Sequence, residues 1–285
     1  MAIKKVAIIG VGLIGGSLGM ALKDLGHVAK VVGVSRNEKH LKTAVEKKAI
    51  DEGTTDPATA VLDADLVVIT TPIQTIIPTL KKIVPYLKKG AIVTDVGSTK
   101  EQIVLDAEKI MPEGCFFIGS HPMAGSERSG IEAAHTFLFD NAVWIFTPTA
   151  NTDLKALDKL RIFLKKLDVR PLVLRPEIHD KVVAAISHLP YLAACSVVSV
   201  LAEEKEYKKE MLELASSGFR DTTRVASSLT EWGLSICQTN KTAMLEVLDK
   251  MIRSLQETKK MVQMDRQDEL LKYFEKIKKF REGMF

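Results

Sequence analysis

The stretch that determines the fold is KKVAIIGVGLIGGSLGMAL, residues 4–22. A short β-branched run is followed by closely spaced glycines and by a helical segment that we expect to begin near Leu13. Gly10, Gly12 and Gly15 match the pattern G-x-G-x-x-G. In this pattern the first glycine permits a tight turn, the second lets a pyrophosphate approach the backbone, and the third allows close helix packing. The stretch therefore predicts a dinucleotide site at the positive end of a helix.

The next strand supports this prediction and bears on the choice of dinucleotide. KVVGVS, residues 30–35, follows the helix at the spacing of a βαβ unit. Sites that prefer NAD usually carry Asp or Glu after this strand, whereas this chain has Ser35 and Arg36. A hydroxyl and a guanidinium suit a ribose 2′-phosphate, so NADP+ is favoured over NAD+. Arg36 could instead stack on the adenine or point to solvent.

Strands and helices continue to alternate as far as about residue 175. We expect strands in ADLVVITTPI (64–73), GAIVTDVGS (90–98) and CFFIGS (115–120), and two later strands, NAVWIFTP (141–148) and VRPLVL (169–174), that complete the same domain. This alternation predicts a mostly parallel sheet, with ligands bound beyond the carboxyl ends of its strands. Polar residues at 70–72, 95–98 and 120–122 are therefore expected to converge on one crevice.

From about Pro176 the pattern becomes helical. The fold class is therefore α/β, with a Rossmann-type domain at residues 1–175, an all-helical domain at 176–285, and the site in the cleft between them. Residues 182–202 carry no charged side chain and are long enough to span a bilayer. They also hold Ser187, His188 and Pro190, so we expect a buried core helix, kinked at the proline and covered by a second subunit, rather than a membrane span.

Composition narrows the function classes. The 285 residues are 46% hydrophobic, and 40 basic residues against 36 acidic ones are spread along the chain without blocks of one sign. These values predict a folded protein with a small anionic ligand and no nucleic-acid partner. The N-terminus runs directly into a strand and the three cysteines match no metal-ligand spacing, so we expect a cytoplasmic protein without a structural metal.

Among the six histidines, one is placed differently from the rest. His121 lies in GSHPMAGSE, residues 119–127, which we expect to be a Gly-bracketed loop at the carboxyl end of a strand, beside the cofactor. Histidine titrates near working pH and suits a general base, although a hydrogen-bonded loop residue is an equal alternative. His27, His40, His135 and His179 lie in charged, amphipathic stretches and are expected at the surface.

Six segments together resemble the prephenate dehydrogenase family of tyrosine biosynthesis, which includes arogenate and cyclohexadienyl dehydrogenases. They are GVGLIGGSL (10–18), TPIQ (71–74), TDVGSTK (94–100), GSHPMAGSE (119–127), ISHLP (186–190) and GFRDTTRVA (218–226). The glycine motif is shared by many dehydrogenases, whereas the GSHPMAG and GFRDTTR segments are far more specific. The resemblance implies oxidative decarboxylation of a cyclohexadienyl acid with hydride transfer to NAD(P)+. The apolar helix at 182–202 separately predicts a homodimer formed through the helical domain.

The resemblance also implies roles for particular residues. His121 matches the base that takes the ring-hydroxyl proton, Ser98 the serine that orients it, and Arg224 the arginine that grips a substrate carboxylate. Ser187, His188 and the position of Tyr191 match the substrate pocket. The cofactor-binding residues are expected to be Gly10, Gly12, Leu13, Ile14, Gly15, Ser35, Arg36, Thr71, Pro72 and Gln74.

Some positions leave alternatives open. Family members often carry a second histidine where this chain has Tyr191, so preference for prephenate or arogenate is not fixed. Arg220 is as well explained by a structural ion pair as by a ligand, and Trp232 is expected in the core. A β-hydroxyacid dehydrogenase with a lysine-based mechanism and a dinucleotide-binding protein without turnover are the rival functions.

Overall fold

A computed structural model of the protein describes residues 3–26, 28–126 and 128–284. Its first part is a six-stranded parallel sheet in the order β3-β2-β1-β4-β5-β6. The β1 strand pairs with both β2 and β4, so the order of the strands reverses there and a crevice opens between β1 and β4. The strands are β1 (Lys5–Ile9), β2 (Lys30–Val34), β3 (Glu52–Thr54), β4 (Leu66–Ile69), β5 (Ile92–Asp95) and β6 (Phe116–Ile118).

Helices cover both faces of this sheet, which is why its central strands are apolar throughout rather than alternating. Every residue of β4 and of β5 is buried. The covering helices are α1 (Leu13–Asp24), α2 (Glu38–Glu46), α3 (Pro57–Val61), α4 (Ile73–Ile83) and α5 (Glu101–Ile110). The predicted Rossmann-type domain is confirmed.

The last three strands form a sheet of their own. β7 (Ser120–Pro122) runs antiparallel to β8 (Val143–Phe146), and β9 (Arg170–Val173) pairs in parallel with β8. The helix α6 (Leu154–Lys165) connects β8 with β9. Residues 141–148 and 169–174 contain strands of this domain, as expected. Their pairing in a separate sheet depends on contacts between distant residues and not on the strand pattern itself.

The second sheet also changes the description of the segment around His121. His121 is the middle residue of β7, opposite Ile145, rather than part of a loop. The indole of the fully buried Trp144 donates to the Ser120 hydroxyl at 3.0 Å, and that hydroxyl donates to the backbone carbonyl of Asp95 at 2.7 Å. These bonds hold β7 against the carboxyl end of β5.

The remaining chain is helical, as predicted. The elements are α7 (Pro176–Val183), a π-helical turn (Ala184–His188), α8 (Leu189–Glu203), α9 (Lys208–Leu214), α10 (Ser217–Thr223), a 3-10 turn (Arg224–Ser227), α11 (Thr230–Thr239), α12 (Lys241–Gln263) and α13 (Gln267–Glu282). Pro190 has no N–H and its ring would clash with the carbonyl four residues earlier. The disruption that Pro190 predicts takes the form of the π turn, which widens the helix immediately before it.

The apolar helix is buried at its beginning and exposed at its end. His188 and Tyr191 are buried, whereas Val197, Val198 and Val200 expose 38%, 37% and 67% of their surface. The expected cover by a second subunit therefore concerns the exposed end of this helix. By length and composition alone, Pro176–Glu203 also qualifies as a helix able to cross a membrane.

Hydrogen bonds join the two parts of the chain next to the crevice. The Asp180 carboxylate accepts the backbone N–H groups of Lys100 at 2.7 Å and Glu101 at 3.0 Å, so a residue of α7 caps the N-terminus of α5. The hydroxyls of Thr99 and Thr239 are bonded at 2.9 Å. The helical part is thereby fixed to the end of the sheet that carries β5 and β7.

Candidate active site

The glycine motif forms the turn between β1 and α1. Gly10 has a φ of +108°, a backbone conformation that favours glycine. A Cβ on Gly15 would lie 2.2 Å from the carbonyl oxygen of Gly10, so only glycine lets α1 pack so closely on the turn. The Thr70 hydroxyl, at the end of β4, donates to the same carbonyl. The first and third glycines therefore have the structural reasons that the sequence predicted for them.

The second glycine is explained by a group outside the chain. A Cβ on Gly12 would meet no described protein atom within 4 Å, and Gly12 has an extended backbone as the residue that precedes α1. Next to this turn, the Thr71 hydroxyl is buried and has no hydrogen-bond partner among the described residues. Open space at a helix N-terminus and an unpartnered hydroxyl at the β1–β4 crevice fit the pyrophosphate and a polar group of a dinucleotide.

The predicted ribose-binding residues follow β2. Ser35 is half-buried and its hydroxyl accepts the backbone N–H of Asn37 at 3.2 Å, while Arg36 is exposed. Asn37 caps α2 by accepting the Lys39 N–H at 2.9 Å. Arg36 therefore stands at the carboxyl end of β2 with its guanidinium in reach of solvent, and no carboxylate occupies positions 35 or 36.

The other predicted cofactor residues divide into two groups. Leu13 and Ile14 form the first turn of α1, and Pro72 is the exposed residue that precedes α4, beside the dinucleotide crevice. Gln74, in contrast, donates its side-chain amide to the Ser235 hydroxyl on α11. The structure therefore places Gln74 in a contact between the two parts of the chain.

A chain of three side chains begins at His121. Its Nδ1 lies 2.9 Å from Nε2 of His179, and Nδ1 of His179 lies 2.7 Å from Oδ1 of Asp180. The two imidazole rings meet edge to face, with centroids 5.1 Å apart. His179 is fully buried, so its expected surface position was wrong. His121 itself is half-buried, and His40 and His135 are exposed as predicted, while His27 lies outside the described residues.

The surroundings of His121 favour its neutral form. Burial holds the pKa of His121 well below its usual value, and positive charge on His179, Lys100 or His188 would lower it further. Lys100 is fully buried and forms an ion pair with the equally buried Asp95. Burial lowers the pKa of Lys100, while the Asp95 carboxylate opposes this effect. A neutral imidazole with a lone pair available is the form that a general base requires.

Trp232 contacts both Ser98 and two of the predicted substrate residues of the helical part. The Trp232 indole donates to the Ser98 hydroxyl at 3.1 Å, and its ring lies edge-on to those of His188 and Tyr191, with centroids 6.0 and 5.1 Å away. Trp232 is half-buried and packs against a hydrophobic core cluster, in line with its expected core position, while its indole also reaches Ser98. Ser98 is bonded to Trp232, whereas the ring of His121 is bonded to His179.

Tyr191 occupies the position where the family often has histidine. A Cβ on Gly233 would lie 2.3 Å from the phenolic oxygen of Tyr191, so this glycine makes room for the tyrosine. Burial raises the pKa of Tyr191, and its bond with Cys195 acts in the same direction. The phenol is therefore neutral and contributes no positive charge.

His188 carries a buried hydrogen-bond donor without a partner. Asn240 donates through Nδ2 to the backbone carbonyl of Asp180 at 2.8 Å, which fixes the orientation of its amide. The same nitrogen lies 3.3 Å from Nδ1 of His188, so that ring atom accepts and Nε2 carries the hydrogen. Nε2 is buried and has no partner among the described residues. Burial lowers the pKa of His188 to about 4, so this N–H is a neutral donor.

Arg224 begins the 3-10 turn after α10 and is exposed. An open cavity of about 380 Å³ lies there, lined by Ala215, Phe219, Arg220, Thr223, Arg224 and Ser227. His121 and Ser98 lie outside this lining. The turn and α10 both pack against α8, the helix that carries Tyr191.

Asp95 is among the polar residues that the sequence placed at the crevice, whereas the sequence assigned no functional role to His179, Asp180, Lys100 or Asn240. A signal for two of them was present, because Pro176, His179, Asp180 and Val183 recur at helical spacing and form the buried face of α7. The charged residues on the opposite face of α7 obscured this helical spacing in the sequence. The Asp95–Lys100 pair and Asn240 depend on contacts between distant elements, for which the sequence carries no comparable signal.

The glycine turn, the open space before α1 and the neutral imidazole at the edge of the sheet define a class of protein, the nucleotide-binding dehydrogenases with a helical second domain. Two family profiles match the chain. One, described as "Prephenate dehydrogenase, nucleotide-binding domain", matches residues 18–173, and the other, described as "Prephenate dehydrogenase, dimerization domain", matches residues 175–276. The chain belongs to the prephenate dehydrogenase family.

Individual relatives agree with the profiles. A prephenate dehydrogenase of Bacillus subtilis is 33% identical over 280 residues, which cover 98% of this chain and 76% of the relative. The crystal structure of Aquifex aeolicus prephenate dehydrogenase with hydroxyphenyl propionate and NAD+ superimposes with a TM-score of 0.93, at 31% identity and with 100% and 99% of the two chains covered. Synechocystis arogenate dehydrogenase gives 0.84 at 36% identity, with 99% and 100% covered.

Proposed function

We propose that the protein catalyses the oxidative decarboxylation of prephenate to 4-hydroxyphenylpyruvate, with hydride transfer to NAD(P)+, in tyrosine biosynthesis. The observation that carries the proposal is the neutral imidazole of His121, fixed on β7 next to the dinucleotide crevice of a chain that belongs to this family. A base at this point can act on the hydroxyl of the ring carbon that loses hydride. A dinucleotide-binding protein without turnover needs no buried base there.

His121 and Arg224 have complementary roles in this chemistry. Nε2 of His121 accepts the ring-hydroxyl proton as hydride leaves the same carbon, and returns it to the oxygen when loss of carbon dioxide makes the ring aromatic. The bound nicotinamide accepts the hydride. Arg224 holds a substrate carboxylate, and the buried N–H of His188 donates to a polar group of the substrate. The protein therefore aligns the reactants and stabilises charge, while aromatisation makes the reaction effectively irreversible.

The cofactor is held by the glycine turn and by the ends of β2 and β4. Gly12 leaves the space in which a pyrophosphate would lie, Gly10 and Gly15 shape the turn around it, and Thr71 supplies a hydroxyl at the crevice. We assign NADP+ as the preferred cofactor, because Arg36 is exposed at the end of β2 and no carboxylate follows that strand to repel a 2′-phosphate. NAD+ is bound in the Aquifex structure, and it is the alternative.

Charge near the helical cavity favours prephenate over arogenate. Arg220 and Arg224 line this cavity, and Tyr191 is neutral. Prephenate carries two carboxylates, whereas arogenate also carries an ammonium group that the two guanidiniums would repel. Arogenate is the second candidate, because a structure that is 36% identical is that of an arogenate dehydrogenase.

We further propose a cytoplasmic homodimer. The second profile describes a dimerization domain, and the exposed valines of α8 belong to the matched residues. An apolar helix face of this kind is stable in water when a second subunit covers it. The three cysteines are free thiols, which suits a reducing compartment.

The proposal is tested by steady-state rates with prephenate and arogenate, each with NAD+ and NADP+, followed by absorbance of the reduced nicotinamide. We expect kcat/KM to be at least about tenfold higher for prephenate, a difference of roughly 1.4 kcal/mol in transition-state stabilisation. His121→Asn should lower kcat by about 100-fold or more, because the base is removed without a large change in volume.

The matched control is His135→Asn, which removes an exposed imidazole outside the site and should leave kcat unchanged. Absence of reduced nicotinamide with both substrates, or full activity of His121→Asn, would contradict the proposed function.

A further inference from the structure

The hydrogen bonds that link His121, His179 and Asp180 run in one direction, which follows from which of their atoms can donate. Asp180 accepts two backbone N–H groups at the N-terminus of α5, one on each carboxylate oxygen, so both oxygens are acceptors. An ionised carboxylate only accepts hydrogen bonds, so Nδ1 of His179, 2.7 Å away, must carry a hydrogen. In a neutral imidazole the other nitrogen then has a lone pair, and Nε2 of His179 is an acceptor.

The same argument continues to the base. Nδ1 of His121 lies 2.9 Å from the accepting Nε2 of His179 and must therefore be the donor. In neutral His121 the remaining nitrogen, Nε2, is then free of hydrogen. This is the nitrogen at the far side of the ring from His179, and it is the atom that can take a proton from a substrate.

We propose that His179 and Asp180 are positioning residues which fix the tautomer of His121 and disperse the charge that His121 acquires in each turnover. The inference rests on the proposed function for its catalytic consequence, but not for the tautomer itself. When Nε2 of His121 takes the hydroxyl proton, the imidazolium donates more strongly through Nδ1 to His179, and His179 donates to the Asp180 carboxylate. No atom beyond the substrate proton is exchanged, and the proton returns to the oxygen at the end of the reaction.

The charges around His121 explain why its hydrogen-bonded connection to a carboxylate is needed. Three other groups face His121, namely Lys100 before α5, its ion-pair partner Asp95 on β5, and His188 on the π turn. Lys100 and burial both oppose positive charge on His121, and Asp95 is already paired with Lys100. The Asp180 carboxylate, reached through a neutral His179, is therefore the negative charge that compensates protonation of His121. If His179 were cationic it would oppose that protonation.

The tautomer can be tested without substrate. In the full-length protein labelled with ¹⁵N-histidine, ring nitrogen shifts distinguish a protonated nitrogen from one with a lone pair. We expect His121 to carry its hydrogen on Nδ1, and we expect a mixture of tautomers in His179→Leu. Hydrogen on Nε2 of wild-type His121 would overturn the proposal, and this outcome is independent of whether prephenate is the substrate.

Two substitutions with side chains of similar volume distinguish a hydrogen-bonding role of His179 from a role in packing alone. His179→Gln keeps an oxygen that can accept from His121, whereas His179→Leu removes the acceptor. We expect kcat to fall by about tenfold in the glutamine variant and by roughly 100-fold in the leucine variant, with KM for prephenate unchanged within about twofold. His135→Asn serves again as the control.

The pH profile supplies a readout that a packing defect would not move. Loss of the hydrogen bonds that connect His121 to the Asp180 carboxylate makes His121 harder to protonate. The acidic limb of the plot of kcat/KM against pH should therefore shift to lower pH in His179→Leu. A shift to higher pH would mean that His179 acts by repulsion, and an unmoved limb with equal losses in both variants would mean that it only fills space. Either result would overturn the proposal.

Discussion

At the scale of single residues, the site combines groups that the sequence identifies with groups that it conceals. His121 could be predicted because an isolated histidine in a glycine-bounded segment after an apolar strand is conspicuous. Asp180 could not, since its function as the cap of α5 depends on two backbone N–H groups about 80 positions earlier in the chain. Trp232 was predicted to pack in the core, against which it lies, but nothing in its neighbourhood in the sequence indicates the bond to Ser98.

Arg36 permits a prediction about cofactor choice. Arg36→Ala should raise KM for NADP+ by about tenfold, because a charge-assisted bond to the 2′-phosphate contributes roughly 1.5–3 kcal/mol, and should change KM for NAD+ by less than about twofold. Steady-state kinetics with both cofactors and saturating prephenate measure this. Lys39→Ala on the neighbouring α2 is the control for a general loss of positive charge. Equal effects on both cofactors would assign Arg36 to stacking on the adenine.

At the scale of elements, the π turn Ala184–His188 connects the helix whose side chains are bonded to the proposed base with a helix that contributes to the predicted substrate pocket. α7 carries His179 and Asp180, and α8 carries Tyr191. Because the turn widens the helix ahead of Pro190, His188 faces the interior, where Asn240 binds it. The proline made an interruption predictable, but its form depends on packing around His188.

The burial of His188 makes stability depend on pH in a defined window. Its pKa is about 4 in the folded protein and about 6.5 in an unfolded chain. The unfolded state therefore binds more protons between these values, and stability that is complete above about pH 6.5 is lost as the pH falls towards 4. The contribution amounts to roughly 3 kcal/mol at about 1.4 kcal/mol per pKa unit.

Chemical denaturation at several pH values between about 4.5 and 7 measures this effect, and the difference in slope between wild type and His188→Gln isolates it from the other titrating groups. Wild type should lose more stability than the variant on acidification. His135→Asn should follow the wild-type slope, because that imidazole is exposed. Parallel curves for wild type and His188→Gln would show that His188 is not held neutral by the fold.

The strands illustrate how far a local pattern reaches. Apolar runs with polar ends placed the central strands of the first sheet close to their observed positions, because burial on both faces leaves a signal in each strand separately. Which strands pair leaves no such signal. The second sheet, and with it the strand conformation of residues 120–122, therefore appeared only in the structure.

At the scale of the whole molecule, the apolar end of α8 is the exposed surface that we assign to the dimer contact. A homodimer predicts that sedimentation velocity at about micromolar concentration will give twice the chain mass of 31.4 kDa. Val200→Lys places a charge in the exposed apolar face and should shift the equilibrium towards monomer by about tenfold or more, since a buried unpaired charge is costly. Val200 is 67% exposed within one chain.

The control for this experiment is Leu62→Lys, which adds the same charge at an exposed apolar residue of the nucleotide-binding part. It should leave the sedimentation coefficient unchanged. A wild-type protein that sediments as a monomer, or a Val200→Lys variant that stays dimeric, would contradict the assignment of this face to the dimer.

The cap that Asp180 places on α5 makes the two domains less interchangeable than their separate folds suggest. The carboxylate that ends a helix of the nucleotide-binding part is also the one that bonds to the neighbour of the base. A chimera that joins this nucleotide-binding part to the helical part of another protein would need an acidic residue at the equivalent position. Without it, both the first turn of α5 and the imidazole on β7 would lose their anchor at the same time. Recombination within this architecture is therefore limited by this side chain as well as by the fit of the two surfaces.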